Sequence, residues 1–148
     1  MNIIKFIIIF FTWFLSSLFI NDSSIYQELT LPFFAPSGFI FGIVWPILYF
    51  LITLSIVMII KENKLKDIKP YLLALGINYV LNQLFTIVFF GLNNLFLGFV
   101  VCLGVFVSSV CLFNETSKLN MKSARILIPY IIWTLFATIL SLSIYIMN

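Results

Sequence analysis

Apolar residues fill long uncharged runs of this chain, and the charged residues collect in short stretches between them. A helix needs roughly 20 apolar residues to cross the hydrocarbon core of a bilayer, and runs of about that length fit between the charges. The pattern therefore predicts an all-α fold, a single membrane domain over residues 1–148. Its five transmembrane helices are predicted at about 3–19, 37–60, 71–92, 95–113 and 124–147.

Composition supports a membrane exterior, because 63% of the residues are hydrophobic and only 9% are charged. A soluble domain carries roughly 25% charged residues to keep its surface wetted. The predicted helices and short connections use the whole length, which leaves no room for a soluble domain. The first run could instead be a signal peptide, since Lys5 precedes a long apolar stretch. Trp13 and the absence of a clear cleavage site favour a retained helix.

The basic residues indicate how the helices are oriented. With five crossings, the N-terminus and the second and fourth loops lie on one side of the membrane. All 8 basic residues fall in these regions, which by the positive-inside rule predicts a cytoplasmic N-terminus and an outward first loop. These residues are Lys5, Lys61, Lys64, Lys66, Lys69, Lys118, Lys122 and Arg125.

Several function classes are disfavoured by what the chain contains. The net charge of +3 is spread along the sequence without a dense basic cluster, so no nucleic-acid partner is predicted. The chain has no His, which removes the commonest metal ligand and general base. Cys102 and Cys111 lie nine positions apart on one predicted helix, too far for a disulfide. No acid–base pair or phosphate-binding loop indicates hydrolysis or phosphoryl transfer, and no metal site is predicted.

The first loop, residues 20–36, is the longest connection. A loop of this length in a compact protein is more often functional than idle. Pro32 and Pro36 restrict the backbone where it re-enters the membrane, so the second helix can begin just after Pro36. We expect this loop to cover a site between the helices.

Three blocks of sequence carry a resemblance. Residues 26–49 read YQELTLPFFAPSGFIFGIVWPILY. NQLF follows at 82–85 with FF at 89–90, and PYIIW at 129–133 precedes FAT at 136–138. In this order and spacing the blocks resemble the translocator protein family, also called tryptophan-rich sensory proteins or TspO/MBR, in a bacterial-type member.

The chain departs from the usual family pattern at four positions. Leu31 stands where the family usually has Lys, Phe39 and Phe85 stand where it often has Trp, and Ser141 replaces a common Asn. Of the 3 tryptophans, Trp45 and Trp133 lie at family positions.

The resemblance implies a five-helix bundle, often a homodimer, in a bacterial cell membrane. It implies a pocket beneath the first loop that binds porphyrins such as protoporphyrin IX, or other flat hydrophobic molecules. No cofactor is required, and because the chain lacks His, a metal-free porphyrin held by stacking is favoured over haem. The ligand-binding residues implied are Tyr26, Pro36, Trp45, Tyr49, Asn82, Phe85, Cys102, Trp133 and Ala137.

The residues themselves leave alternatives open. Trp45 and Tyr49 share a helix face, as do Trp133 and Ala137, but a tryptophan in a membrane helix also serves as an interface anchor. Asn82 is a candidate to face the ligand, although a buried amide can equally join helices by hydrogen bonds.

Further positions remain open in the same way. Asn78 is predicted to join helices, and Trp13 to pack or to anchor at the interface. Gly38 and Gly42 form a G-x-x-x-G pair that permits either close helix approach or space beside a pocket.

Three functions remain in competition. The first is a membrane receptor or sensor for tetrapyrroles, with possible transport. The second is an enzyme that degrades protoporphyrin IX in light and oxygen, with Trp45 and Trp133 as photochemical residues. The third is a structural helical subunit of a membrane complex. Sterol binding is disfavoured, because the proposed pattern requires a basic residue after an aromatic one and none follows Tyr145.

Overall fold

A computed structural model describes residues 3–19 and 25–148, and every regular element in these ranges is helical. The all-α prediction is therefore confirmed. The π-helical turn Ile87–Gly91 continues α4 directly, and Leu15–Phe19 and Leu65–Asp67 are 3-10 helical. The α-helices are α1 Ile3–Thr12, α2 Ile25–Glu28, α3 Gly38–Glu62, α4 Lys69–Thr86, α5 Leu95–Leu119, α6 Met121–Ile126 and α7 Ile128–Met147.

Four helical stretches among the described residues are long and apolar enough to span a membrane, and α1 is a shorter apolar helix. The spans are Gly38–Glu62, Lys69–Gly91, Leu95–Leu119 and Met121–Met147. α5 extends six residues beyond its predicted end, because hydropathy locates the apolar core of a membrane and a helix can continue past it. Its last turns carry an ion pair between Glu115 and Lys118. The orientation in the membrane stays a prediction.

α5 packs between α4 and α7 and makes its most extensive helix contacts with these two. Small residues permit this packing. A Cβ atom added to Gly98 of α5 would lie 2.9 Å from Cδ2 of Phe89 in the π turn. Ser109 of α5 and Thr134 of α7 place their hydroxyl oxygens 3.3 Å apart. Close approach and interhelical hydrogen bonds are the usual means of holding membrane helices together.

The predicted first helix is interrupted in the structure. α1 ends at Thr12, and the chain turns at Trp13 before the 3-10 segment Leu15–Phe19. Backbone groups freed at membrane depth need partners, because hydrocarbon offers none. α4 supplies them: Tyr79 donates its hydroxyl to the Thr12 carbonyl at 2.9 Å. Gln83 donates to the Trp13 carbonyl at 3.1 Å and accepts from the Ser16 amide at 2.8 Å.

This interruption corrects the prediction of one helix over 3–19. The apolar pattern predicts a membrane segment there, but it contains no signal for the residue at which the helix ends. The stop depends on Gln83, whose amide caps the chain from a different helix.

Of the predicted lid, residues 20–24 lie outside the described residues, and residues 25–36 run over one end of the bundle. The Asn148 side chain binds the backbone of Thr30 twice, accepting from its amide at 2.9 Å and donating to its carbonyl at 3.0 Å. The same amide donates to the Ile144 carbonyl at 2.8 Å. The described part of the loop is thereby fastened to the end of α7.

Candidate functional site

A cavity of about 550 Å³ lies within the bundle at its first-loop end. Its walls come from the interrupted first segment, the N-terminal half of α3, the end of α4 with the π turn, and α7, while α2 lies over it. Aromatic side chains dominate these walls. They are Trp13, Phe14, Tyr26, Phe39, Phe41, Trp45, Tyr49, Phe85, Phe89 and Phe90.

Most of the residues predicted to bind ligand are brought together by this cavity. Trp45 and Tyr49 line it from α3, with ring centroids 5.5 Å apart. The opposite walls contain three more, and α2 adds a sixth. The predicted residues on the cavity wall are Tyr26, Trp45, Tyr49, Asn82, Phe85 and Ala137.

Three predicted residues do not line the cavity: Pro36, Cys102 and Trp133. The Pro36 carbonyl accepts a hydrogen bond from the Tyr26 hydroxyl at 2.9 Å. Cys102 of α5 is buried against α7, where the Thr138 hydroxyl donates to the Cys102 carbonyl at 3.3 Å.

Trp133 packs against Phe41 at 5.7 Å and Phe136 at 5.3 Å between ring centroids, so Phe41 separates it from the cavity. Its buried indole N–H has no hydrogen-bond partner in the described part of the chain. A role for these three residues in ligand binding stays a prediction.

The floor of the cavity is polar, because a chain of hydrogen bonds ends there. Tyr49 donates to the Asn82 side-chain oxygen at 3.0 Å, and Asn82 donates to the Tyr130 hydroxyl at 3.2 Å. Tyr130 donates to the Asn78 oxygen at 3.0 Å, and Asn78 donates to Ser108 at 2.9 Å. The chain joins α3, α4, α5 and α7.

The structure supports the interhelical reading of Asn82, and its contact with a ligand stays a prediction. Asn82 joins helices through Tyr49 and Tyr130, and it also lines the cavity. Asn78 is fully buried and joins helices only, as its place in the sequence predicted.

Trp13 was not included among the predicted site residues, although it forms part of the wall. Its ring is only 2% exposed and stacks on Tyr49 at 5.5 Å between centroids, with an edge contact to Tyr79 at 5.0 Å. Of the two readings, the structure supports packing. A tryptophan in the apolar run was a signal, but its inward direction depends on the break after Thr12.

Phe89 and Phe90 were also absent from the predicted set. They lie in the π turn and line the cavity. A π-helical turn is rare and shifts the side chains after it relative to a regular helix. The block match marked both residues, but hydropathy gives no sign of the irregular turn that brings them to the wall.

The Tyr26 side chain covers the cavity from the described part of the first loop. It is 6% exposed, packs edge-on against Phe41 at 5.3 Å, and is fixed through its hydroxyl to Pro36. Burial raises the pKa of the Tyr26 hydroxyl above its usual value, so the group stays protonated and donates at neutral pH.

The cavity wall offers aromatic faces and a few fixed polar groups, which are the features of a ligand-binding pocket. No group of three or more His, Cys, Asp or Glu capable of holding a metal occurs within 3–19 and 25–148. Ligand pockets of about 300–1,000 Å³ are usually apolar with a few fixed polar groups. The aromatic walls and the amide at the floor match that description.

Comparison with known proteins identifies the family of the chain. A sequence model described as the TspO/MBR family matches residues 4–147. The "Tryptophan-rich protein TspO" of Bacillus cereus is 38% identical over 148 residues, covering 99% of this chain and 96% of the relative. The protein of that name from Archaeoglobus fulgidus is 31% identical over 83% of this chain and 79% of its own length.

A further relative is the "Uncharacterized membrane protein YtaB" of Bacillus subtilis, 37% identical over 88% of this chain and 84% of its own length. Nearly the whole chain is thus covered by one family description, and its apolar helices agree with an integral membrane protein. The chain belongs to the TspO/MBR family.

Proposed function

We propose that this protein is a membrane receptor or sensor that binds protoporphyrin IX and similar flat hydrophobic molecules in the cavity between its helices. Membership of the TspO/MBR family supports the broader role of sensor or receptor. The observation that carries the narrower proposal is the aromatic cavity of about 550 Å³ with a polar floor.

The arrangement of the rings suits a planar ligand. Trp13 and Tyr49 are nearly parallel, with 21° between their planes, and Trp45 is tilted 35° from Tyr49. Stacking on such faces contributes roughly 0.5–1.5 kcal/mol per aromatic pair beyond the area buried.

The floor supplies a polar contact. Asn82 donates one of its two amide hydrogens to Tyr130, which leaves the second for an acceptor on the ligand. A metal-free tetrapyrrole, which carries ring nitrogens and carboxylates, provides such acceptors.

The proposal includes the setting of the protein. The sorting of basic residues supports a cytoplasmic N-terminus and an outward first loop in a bacterial cell membrane. The resemblance supports a homodimer, and the proposal extends to transport of the ligand bound at the same site.

Purified protein titrated with protoporphyrin IX in the dark is expected to show saturable quenching of tryptophan fluorescence. Because Trp13 and Trp45 line the cavity and Trp133 does not, Trp13→Phe and Trp45→Phe should each weaken binding of protoporphyrin IX more than Trp133→Phe. Absence of saturable binding would contradict the proposal and favour a structural subunit.

A second candidate function, light- and oxygen-dependent degradation of protoporphyrin IX, is favoured by the contact series Trp13–Tyr49–Trp45 beside the cavity. In such a reaction the excited porphyrin loses electrons and oxygen accepts them. Illumination of the complex in air should then bleach the porphyrin faster than free porphyrin, and Trp45→Phe should slow the bleaching. If neither Trp45→Phe nor Trp133→Phe changes its rate, the photochemical roles of both residues are refuted.

A further inference from the structure

The exposed residues of the cavity wall lie on one side. The residues contributed by α4, the π turn and α7 are all buried or half-buried. Among the residues that the structure describes, every exposed one in the lining comes from the 3-10 segment, from α2 or from the start of α3. These residues are Ser17, Gln27, Gly38, Phe39 and Gly42.

The break after α1 explains why the wall is open on this side. Before the break, α1 packs against α3, with Phe6 and Phe50 at 5.3 Å between ring centroids. After it, the 3-10 segment packs against α4 and the π turn. Gln83 holds the chain in this course by donating to the Trp13 carbonyl and accepting from the Ser16 amide. The first segment thus leaves α3 where the cavity begins.

The edge of the opening on α3 is apolar and lies within the membrane-spanning part of that helix. Phe39 is 76% exposed, and an added Cβ on Gly42 would meet no atom within 4 Å. Gly42 lies four residues into α3, about 6 Å along its axis at roughly 1.5 Å per residue. This depth and the apolar edge fit the hydrocarbon of the bilayer half nearest the first loop.

We propose that the gap between the 3-10 segment and the N-terminal half of α3 is a side opening through which ligands dissolved in the bilayer reach the cavity. The proposal rests on the proposed function, since it concerns how that cavity is filled. A flat apolar ligand partitions into lipid, so its local concentration beside Gly42 and Phe39 exceeds its concentration in water. The opening therefore selects molecules that enter from the membrane.

A larger side chain at Gly42 tests the opening directly. In protein reconstituted in lipid nanodiscs whose bilayer is preloaded with protoporphyrin IX, Gly42→Leu is expected to slow association at least ~5-fold in the dark. Gly76→Leu is the matched control, because Gly76 also has no atom within 4 Å of an added Cβ and lies on α4 outside the cavity lining. Association by the control should stay within about 2-fold of the unsubstituted protein.

A second variant blocks the opening only after the protein has folded, so that a folding defect cannot cause the slower association. Gly42→Cys is combined with Cys111→Ser, because Cys111 is exposed and Cys102 is buried. The folded protein is then coupled to a bulky maleimide before reconstitution. Association of protoporphyrin IX with the Gly42→Cys protein should be slower after coupling than before it. The Gly76→Cys protein in the same Cys111→Ser background should associate at the same rate before and after coupling.

The outcomes separate the two proposals. If the unsubstituted protein shows no saturable binding, the proposed function fails and the side opening fails with it. If it binds, but Gly42→Leu and coupled Gly42→Cys associate as fast as the Gly76 controls, the side opening alone is refuted.

Discussion

Trp13→Ala is expected to lower the free energy of unfolding by about 3 kcal/mol, since the cavity term is about 24 cal/mol per Å³ and roughly 140 Å³ is removed. The transfer of apolar surface out of water contributes less here, because lipid is itself apolar. Trp13 is 2% exposed and lies between Tyr49 and Tyr79. Unfolding in mixed detergent–dodecyl sulfate micelles, followed by circular dichroism, measures the change.

Two controls show whether the loss belongs to this buried position. Phe11→Ala removes an aromatic side chain from the preceding helix α1, but Phe11 is 62% exposed and its loss should change stability by well under about 1 kcal/mol. Trp13→Phe retains most of the packing and should lie between the two. Equal effects of Trp13→Ala and Phe11→Ala would contradict the inward placement of Trp13.

Asn78→Leu is expected to destabilise the protein by about 2–3 kcal/mol, because it leaves buried polar groups without partners. Asn78 is fully buried and donates to the Val105 carbonyl at 3.2 Å and to Ser108 at 2.9 Å. It also accepts from Tyr130, whose hydroxyl would lose its acceptor. The same micelle unfolding assay gives the free-energy change.

Asn114→Leu provides the comparison for this substitution. Asn114 lies on an exposed face of α5, so its replacement removes no buried partner and should leave the free energy of unfolding within about 0.5 kcal/mol. If Asn78→Leu is as mild as Asn114→Leu, the amide chain between α4, α5 and α7 contributes little to stability.

The sequence predicted the helical class and the region of the site because both depend on local chemistry. Long uncharged runs require a membrane, and the block from Tyr26 to Tyr49 identified the family that the comparison then showed. Trp45 and Tyr49 share a face by helix geometry alone, and both line the cavity.

What the sequence missed depends on contacts between distant residues. The end of α1 at Thr12 is held by Tyr79 and Gln83, which no periodicity in the first run can reveal. The inward position of Trp13 follows from that break. Similarly, Trp133 shares a helix face with Ala137 but lies behind Phe41, and only the packing of α3 against α7 decides which side chain reaches the cavity.

The capping of the first segment by α4 has a consequence for biogenesis. Ser16 and its partner Gln83 are 67 residues apart, so at roughly 5–20 residues per second the ribosome takes roughly 3–13 seconds to supply the second after the first. During that interval lipid offers no partners for an opened backbone. We therefore expect the nascent segment to enter the bilayer as an unbroken helix and to bend at Trp13 once Tyr79 and Gln83 lie beside it.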